Sequence, residues 1–399
     1  MMNIICEKKI LNEAVIPALS AVLTKAKDTD KGLDGFLLIA DKDSGTLTVC
    51  GYDKEKGVKV TVSDKNVKII ETGSIIVNAE KFSSVIKNLP DGEVSVIADS
   101  KFTVTVHSGK SEFTIHGLDG GTFPAIPEIK GEKSLKLSRK ILKNMIASTL
   151  FSVAYNNSRP SLNGVLFEIK KNQLNVVSCD GNRMSIRRSF EGLTSSEDLD
   201  VKFIIPGKSL SELLKLINGD DDKPVEIELT SKHVVISFDN IIFFSRLIEN
   251  EYLDYSKTIR INPKTTVTAN TRNLTDSVDR SAVLTDDRQK TPIKLNFSKM
   301  ETNIENRDNF GILQITSSSS IGKVNDECDI DIQGDDIEIG FNQRYLSEAL
   351  KAVKDEKIIA NIESPLKPLL ILPYEKENVT PDIDNCKFIY LTLPVRLKS

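Results

Sequence analysis

One pattern of apolar and polar positions occurs three times along the chain. In each copy, four apolar residues recur at helical spacing and so lie on one face of an α-helix. The three sets are Phe82, Val85, Ile86 and Leu89; Leu210, Leu213, Leu214 and Ile217; and Leu346, Ala349, Leu350 and Val353. A strand-like apolar run precedes each set, at 75–77, 203–205 and 337–341. The pattern predicts three related domains that share one strand–helix unit.

A second amphipathic helix is predicted near the start of each third of the chain, at 8–24, 138–153 and 272–284. Pro17 lies inside the first of these helices and should kink or tighten it, because proline has no amide N–H to donate. With the three repeated helices, this gives six helices in total.

The remaining apolar residues alternate with polar ones and predict antiparallel strands, among them one at 302–306. The fold class is therefore α+β, and each domain consists of two helix-plus-antiparallel-sheet halves. The predicted domain boundaries are 1–128, 129–256 and 257–399, with a linker at 125–133.

Charge is distributed unevenly over these elements. The whole chain has a net charge of −4, but five of the six predicted helices are net positive and the helix at 272–284 is neutral. Lys87, Lys215 and Lys351 occupy the same position of the repeated unit. Basic helices in an acidic protein indicate that the helices face a polyanion. The alternative is that these lysines only keep exposed helix faces solvated.

Several motifs that suggest catalysis do not fit their chemistry. Gly-Lys-Ser occurs at 109–111 and 207–209, but a phosphate-binding loop needs another glycine where Val104 and Lys202 stand. The acidic run at 220–222 is predicted to be a solvated turn, and Asp180-Gly181 is predicted to form a turn between strands. The sequence therefore predicts a protein that is not an enzyme.

The sequence gives no indication of a cofactor or a metal site. Its five cysteines are scattered and contain no CxxC pair, and its three histidines do not cluster. The N-terminal segment lacks a long apolar run, so neither a signal peptide nor a membrane span is predicted. We expect a cytoplasmic protein.

Six segments, in this order and spacing, carry a resemblance to a known family. They are RPSLNGVLFE at 159–168, CDGNRM at 179–184, IPGKSLSELL at 205–214, SRLIENEYLDY at 245–255, GFNQRYLSEAL at 340–350 and LPVRL at 393–397. Together with the three-domain plan, they make the chain similar to the beta subunit of bacterial DNA polymerase III, the DNA sliding clamp. The resemblance extends over nearly the whole chain.

The resemblance implies a head-to-tail homodimeric ring that encircles and slides on duplex DNA as a processivity factor for replication. Helices would line the pore and sheets would form the outer wall. The positions that would contact or lie near DNA are Lys25, Arg159 and Lys208, together with the repeated Lys87, Lys215 and Lys351. Phe113 would contact Val283 and Leu284 of the second subunit, although core positions within their own domains are an equal alternative for these three residues.

The resemblance also implies an apolar cleft that holds a short peptide of each partner. Its walls would be Leu162, Cys179, Gly181, Arg183, Met184, Leu253, Leu391, Leu393, Pro394, Val395, Arg396 and Leu397. The implied partners are the polymerase III alpha subunit, the clamp loader, and clamp-motif proteins of repair synthesis, ligation and mismatch repair. Asn182 and Leu253 depart from the His and Pro common in the family, which leaves the peptide preference open. The alternative function is a monomeric, three-domain β-rich binding protein with no role on DNA.

Overall fold

The computed structural model describes residues 1–24, 30–63, 65–126, 131–195, 199–217, 219, 221–284, 292–301, 309–375 and 381–397. The chain forms two compact units. Unit one contains residues 1–140, 194–197 and 208–247, and unit two contains residues 141–193, 198–207 and 248–399. The middle third of the sequence therefore contributes to both units.

Helices and strands follow the chain in three similar series. The first is β1 (Met2–Glu7), α1 (Lys8–Leu19), β2 (Gly35–Asp41), β3 (Thr46–Tyr52), β4 (Lys56–Val62), β5 (Val67–Glu71), β6 (Gly73–Asn78), α2 (Ala79–Asn88), β7 (Glu93–Ala98), β8 (Thr103–Ser108), β9 (Ser111–His116) and β10 (Leu118–Asp119). The second is β11 (Lys133–Ser138), α3 (Arg139–Ala147), β12 (Gly164–Lys170), β13 (Gln173–Cys179), β14 (Arg183–Ser189), β15 (Leu193–Ser195), β16 (Asp200–Pro206), α4 (Gly207–Leu216), β17 (Pro224–Leu229), β18 (His233–Phe238) and β19 (Ile241–Arg246). The third is α5 (Tyr255–Thr258), β20 (Thr265–Asn270), α6 (Thr271–Ser281), β21 (Ile293–Lys299), β22 (Phe310–Ser318), β23 (Lys323–Gly334), β24 (Ile337–Phe341), α7 (Gln343–Ala352), β25 (Lys357–Ile362), β26 (Leu369–Pro373) and β27 (Phe388–Thr392).

Unit one contains a five-stranded sheet with the order β5-β1-β7-β8-β9 and a ten-stranded sheet with the order β10-β6-β2-β3-β4-β19-β18-β17-β11-β15. Unit two contains one twelve-stranded sheet, β16-β12-β13-β14-β27-β26-β25-β20-β23-β22-β21-β24. The neighbouring strands pair antiparallel, as in β4 with β19 and β14 with β27. The α+β class with antiparallel sheet is confirmed.

All six predicted helices are present, and their apolar faces are buried as the spacing predicts. Phe82 and Ile86 of α2, Leu210 and Leu213 of α4, and Leu346, Ala349 and Leu350 of α7 are all buried. Three of the helices begin after an asparagine whose side chain accepts a hydrogen bond from a backbone N–H of the first turn: Asn78, Asn270 and Asn342. Such a cap satisfies one of the N–H groups that a helix start leaves unpaired.

Some element predictions were wrong. Helix α1 ends at Leu19 rather than at residue 24, two residues after Pro17. Strands β11 and β20 were not predicted from the sequence; they precede the first helix of the second and third series as β1 precedes α1. In β11 the alternation of apolar and polar residues is short but visible, since Leu135 and Leu137 are buried on either side of the exposed Lys136. The predicted strand at 302–306 lies outside the described residues.

Strands β4 and β19 meet in unit one where a glycine faces an aromatic ring. Gly57 lies opposite Phe244, and a Cβ at Gly57 would come within 2.1 Å of that ring. Phe244 also packs against Tyr52, with 5.6 Å between ring centroids. Glycine is therefore required here by close packing.

We expect Gly57→Ala to lower the free energy of unfolding by about 2 to 3 kcal/mol, because the added methyl group overpacks the strand pair. Urea denaturation measures the change. Lys59→Ala, two residues along β4 at an exposed position, is the control. Equal midpoints for the two variants would contradict the packing argument.

Candidate functional site

Most of the predicted cleft residues lie together in unit two. Leu162, Cys179, Met184 and Leu391 are buried in one apolar cluster, and Leu253 packs against it from a partly buried position. Leu162 follows Arg159 on a short helical turn, while Cys179 and Met184 end β13 and begin β14. These residues do not form an exposed wall, and we call their buried cluster the apolar floor.

The C-terminal segment 393–397 provides the exposed part of the same region. Leu393 is 39% exposed and Val395 is 38% exposed. The Leu393 N–H donates to the Asn182 carbonyl at 2.8 Å, and the Val395 N–H donates to the Gly340 carbonyl at 2.8 Å. The segment is therefore held at two points, with aliphatic side chains open to a ligand and Arg396 exposed beside them.

The turn at 180–183 joins β13 to β14 and is held by Asp180. One carboxylate oxygen of Asp180 accepts from the backbone N–H of Asn182 at 2.9 Å and from that of Arg183 at 3.1 Å. Gly181 adopts φ +94°, a conformation that glycine favours. Asp180 and Gly181 therefore form a turn between two strands, as the sequence predicts.

Arg183 was predicted to line the cleft, but its guanidinium is fully engaged by other groups of the protein. It is 7% exposed and pairs with Asp180 at 3.0 Å and with Glu348 of α7. It also donates to the Phe151 carbonyl and lies over the Tyr345 ring, 4.4 Å from the centroid. This side chain positions the turn and does not offer a free cation to a ligand.

Glu348 belongs to this network, although the sequence did not identify it as a site residue. Burial works against its ionisation, but hydrogen bonds from Arg344 and Arg183 outweigh burial, and the pKa of Glu348 is lowered. In the sequence, Glu348 is marked only by its spacing of four residues from Arg344 on one helix, and this spacing predicts an ordinary surface ion pair.

We expect Arg183→Met to lower the free energy of unfolding by about 3 kcal/mol, because it leaves Asp180 and Glu348 without their buried cation. A carboxylate with a lowered folded pKa contributes stability above its ordinary pKa and loses that contribution as the pH falls through the folded value. The difference from wild type should therefore shrink below the ordinary value of 4.5 for glutamate.

Urea denaturation across this pH range tests the prediction. Arg260→Met is the matched control, because Arg260 pairs with Asp384 at 2.9 Å and both side chains are 59% exposed. Exposed pairs contribute about 0 to 1 kcal/mol. Arg183→Met and Arg260→Met curves that coincide would show that the Arg183 network does not stabilise the turn.

The predicted DNA-contacting lysines are on helix surfaces. Lys87, Lys208, Lys215 and Lys351 are all exposed. Lys215 pairs with Glu212 at 2.9 Å and Lys351 pairs with Asp279 at 2.9 Å, whereas Lys87 and Lys208 have no ion pair within the described part of the chain. Arg159 is also exposed, and Lys25 lies outside the described residues. The basic character of α3 is weaker than its sequence suggests, because Arg139 is buried and pairs with Asp239 at 2.7 Å.

Two of the three predicted subunit-contact residues are exposed rather than buried in the core of their own units. Phe113 is 37% exposed on β9, and Val283 is 77% exposed after the end of α6. Leu284 is half-buried, and its carbonyl accepts a hydrogen bond from Ser319. An open groove of about 620 Å³ lies between α2 and β9, lined by Lys81, Ser84, Val85, Asn88, Phe113, Thr114, Ile115 and His116.

The motifs that suggest catalysis have structural roles. Gly109 and Lys110 form the turn between β8 and β9, and the buried Ser209 accepts a hydrogen bond from Ser245 at 2.8 Å. Asp221 pairs with Lys223, and Asp222 accepts from Ser138. Among the described residues, no group of three His, Cys, Asp or Glu side chains could hold a metal ion. No helix in the described ranges is long and apolar enough to cross a membrane.

Three family models of the DNA polymerase III beta subunit match this chain in succession. The N-terminal domain model matches residues 2–127, the central domain model 136–254 and the C-terminal domain model 258–386. The beta sliding clamp of Bacillus subtilis is 30% identical over 402 residues, which covers 99% of this chain and all of that relative. A beta sliding clamp of Staphylococcus epidermidis is 32% identical over 91% of this chain and 92% of its own length.

Solved structures agree with these sequence matches. A DNA polymerase sliding clamp of Bacillus subtilis has a TM-score of 0.89 at 29% identity, and a putative DNA polymerase III beta subunit of Eubacterium rectale has a TM-score of 0.87 at 33% identity. Each comparison covers both chains completely. An unrelated β-rich binding protein is therefore not favoured, and the chain belongs to the family of bacterial DNA polymerase III beta subunits, the beta sliding clamps.

Proposed function

We propose that two copies of this chain close head to tail into a ring around duplex DNA and hold partner proteins through the cleft of unit two. As a member of its family, the chain is a non-catalytic processivity subunit of DNA replication. The ring, the DNA contacts and the cleft are the proposal. Its principal support is the way in which strands join successive domains.

The same kind of strand pair joins one domain to the next in each unit. In unit one, β4 ends the run β6-β2-β3-β4 and pairs with β19, the last strand of the second series. In unit two, β14 ends the run β16-β12-β13-β14 and pairs with β27, the last strand of the third series. The rule is that the fourth strand of one domain joins the last long strand of the next.

By the same rule, one strand of the third domain and one strand of the first domain each have an edge without a partner among the described residues. The run β24-β21-β22-β23 has β23 in the fourth place, and β20 pairs only with its last part, from Asp331 to Gly334. Residues 323–330 thus have a free edge within the described part of the chain. The counterpart of β19 and β27 in the first domain is β9, and among the described strands it pairs with β8 alone. Unpaired edges are ready templates for another chain.

A second copy would satisfy both edges. Pairing β23 of one copy with β9 of the other is a heterologous contact, and two such contacts close a ring of six domains. The apolar groove beside β9 would then receive Val283 and Leu284 of the other copy. The exposure of Phe113 and Val283 supports this contact over the alternative that they are core residues.

A closed ring can stay on DNA without binding it tightly. Exposed Lys87, Lys208, Lys215, Lys351 and Arg159 would meet phosphates, which carry no sequence information and therefore permit sliding. Lys25 is proposed to act in the same way. The apolar floor and the exposed Leu393 and Val395 would hold an extended peptide by burying its aliphatic or aromatic anchors. The proposed users of the cleft are the polymerase III alpha subunit, the clamp loader, and repair, ligation and mismatch-repair proteins acting on the nucleoid in the cytoplasm.

Retention on circular DNA tests the ring. Protein loaded onto a nicked circular plasmid by the clamp loader and ATP should co-elute with the DNA, and it should dissociate once a restriction enzyme linearises the plasmid. A reaction without ATP is the control for simple electrostatic binding. Protein that remains on linear DNA with free ends, or that never elutes as a dimer, would contradict the proposal.

A further inference from the structure

A continuous series of ion pairs runs from the exposed face of α7 to the cleft. Arg344 donates to one carboxylate oxygen of Glu348 at 2.9 Å, and Arg183 donates to the other. Arg183 also donates to Asp180 at 3.0 Å. Glu348 is therefore shared between a cation on the surface of α7 and a cation buried beneath the turn at 180–183.

The inner end of this series touches the peptide-binding segment. Asp180 fixes the turn through the N–H groups of Asn182 and Arg183, and the Asn182 carbonyl accepts from Leu393 at 2.8 Å. Leu393 begins the C-terminal segment whose exposed aliphatic side chains line the cleft. Arg183 is therefore connected to Leu393 through three successive hydrogen bonds.

The outer end is accessible to a polyanion. Arg344 is 72% exposed, whereas Arg183 is 7% exposed. Arg344 and Lys351 are separated by two helical turns and share one face of α7, so both are open to the phosphates of one DNA backbone. A phosphate group competes directly with Glu348 for the Arg344 guanidinium.

We propose that DNA on the face of α7 and peptide in the cleft are coupled through Glu348, which rests on the proposed function of both surfaces. When a phosphate takes Arg344, Glu348 pairs with Arg183 alone and holds it more firmly. The turn at 180–183 and Leu393 are then fixed in the arrangement that binds peptide, so less ordering is needed on binding. Coupling is reciprocal, so peptide in the cleft also favours release of Arg344 to the phosphate.

Fluorescence anisotropy of a fluorescein-labelled peptide measures this coupling. The probe copies the clamp-binding segment of the polymerase III alpha subunit of the same organism. Arg344→Gln mimics capture of Arg344 by phosphate and should tighten peptide binding about two- to threefold without DNA. Glu348→Gln should weaken it about tenfold, and the double variant should match Glu348→Gln alone, because the two residues act through one contact.

Adding a short linear duplex at low salt gives an independent measure. Wild type should bind the peptide about two- to threefold more tightly with the duplex present, whereas Arg344→Gln and Glu348→Gln should show no response. Arg272→Gln is the control, because Arg272 is also exposed and pairs with a carboxylate one turn along its own helix, Asp276 of α6, rather than with Glu348. This variant should keep the response of the cleft to DNA.

The outcomes separate the coupling from the proposed function. A wild-type protein that does not bind the peptide would overturn the cleft itself. Peptide binding by wild type, with Arg344→Gln no different from Arg272→Gln and equal responses to the duplex, would overturn only the coupling. Thermal melting of each variant identifies a loss of fold, and the exposed Arg344→Gln change keeps the test usable if Glu348→Gln proves unstable.

Discussion

Phe113→Asp should leave the chain folded but monomeric. Phe113 lies on the edge strand β9, where it is 37% exposed and lines the groove beside α2. In the proposed ring, this groove is filled by apolar residues of the second copy, so a carboxylate there would be buried without a partner. Loss of a central aromatic contact costs about 2 kcal/mol or more, which raises the dimer dissociation constant at least about thirtyfold.

Sedimentation velocity over a dilution series measures this change. The matched control is Ile97→Asp, because Ile97 is also 37% exposed and lies in the same sheet, on the interior strand β7. This variant should remain a dimer and should load onto circular DNA. If Phe113→Asp dimerised as Ile97→Asp does, the β9 edge would not be the subunit contact.

The repeated helices were predictable from sequence because their burial is local and periodic. Leu346 and Leu350 are one turn apart, so burial of one implies burial of the other. The pairing of β4 with β19 could not be predicted in this way, since nothing in the alternation of Val58 and Val60 says which strand will lie beside them. The free edge of β23 has the same origin, because it depends on where the pairing with β20 stops.

In the candidate site, too, the sequence predicted some residues and not the roles of others. Leu162, Cys179 and Met184 were assigned to the cleft from motifs, and the structure brings them into one cluster with Leu391. The role of Arg183 was not predictable, because its partner Glu348 is 165 residues away in sequence. Ion pairs between residues far apart in sequence leave no periodic signal. An arginine in a family motif is therefore predicted to bind a ligand even where carboxylates of the same chain already compensate its charge.

Deleting residues 393–397 should abolish peptide binding while leaving the dimer intact. The deletion removes Leu393 and Val395, the exposed aliphatic residues beside the apolar floor, together with Arg396. It also removes the hydrogen bonds to Asn182 and Gly340 that hold this segment in place. An apolar cleft that loses one wall cannot bury the anchors of a peptide, so we expect affinity to fall at least about a hundredfold.

The proposed subunit contact uses β9 and β23, which the deletion does not touch, so ring loading onto circular DNA should survive. Anisotropy of the labelled polymerase peptide and sedimentation velocity separate the two effects. A truncation that removes only Lys398 and Ser399 is the matched control and should bind peptide as the full chain does. Peptide affinity retained after loss of 393–397 would place the cleft elsewhere on the chain, whereas loss of the dimer would show that this segment also supports the ring.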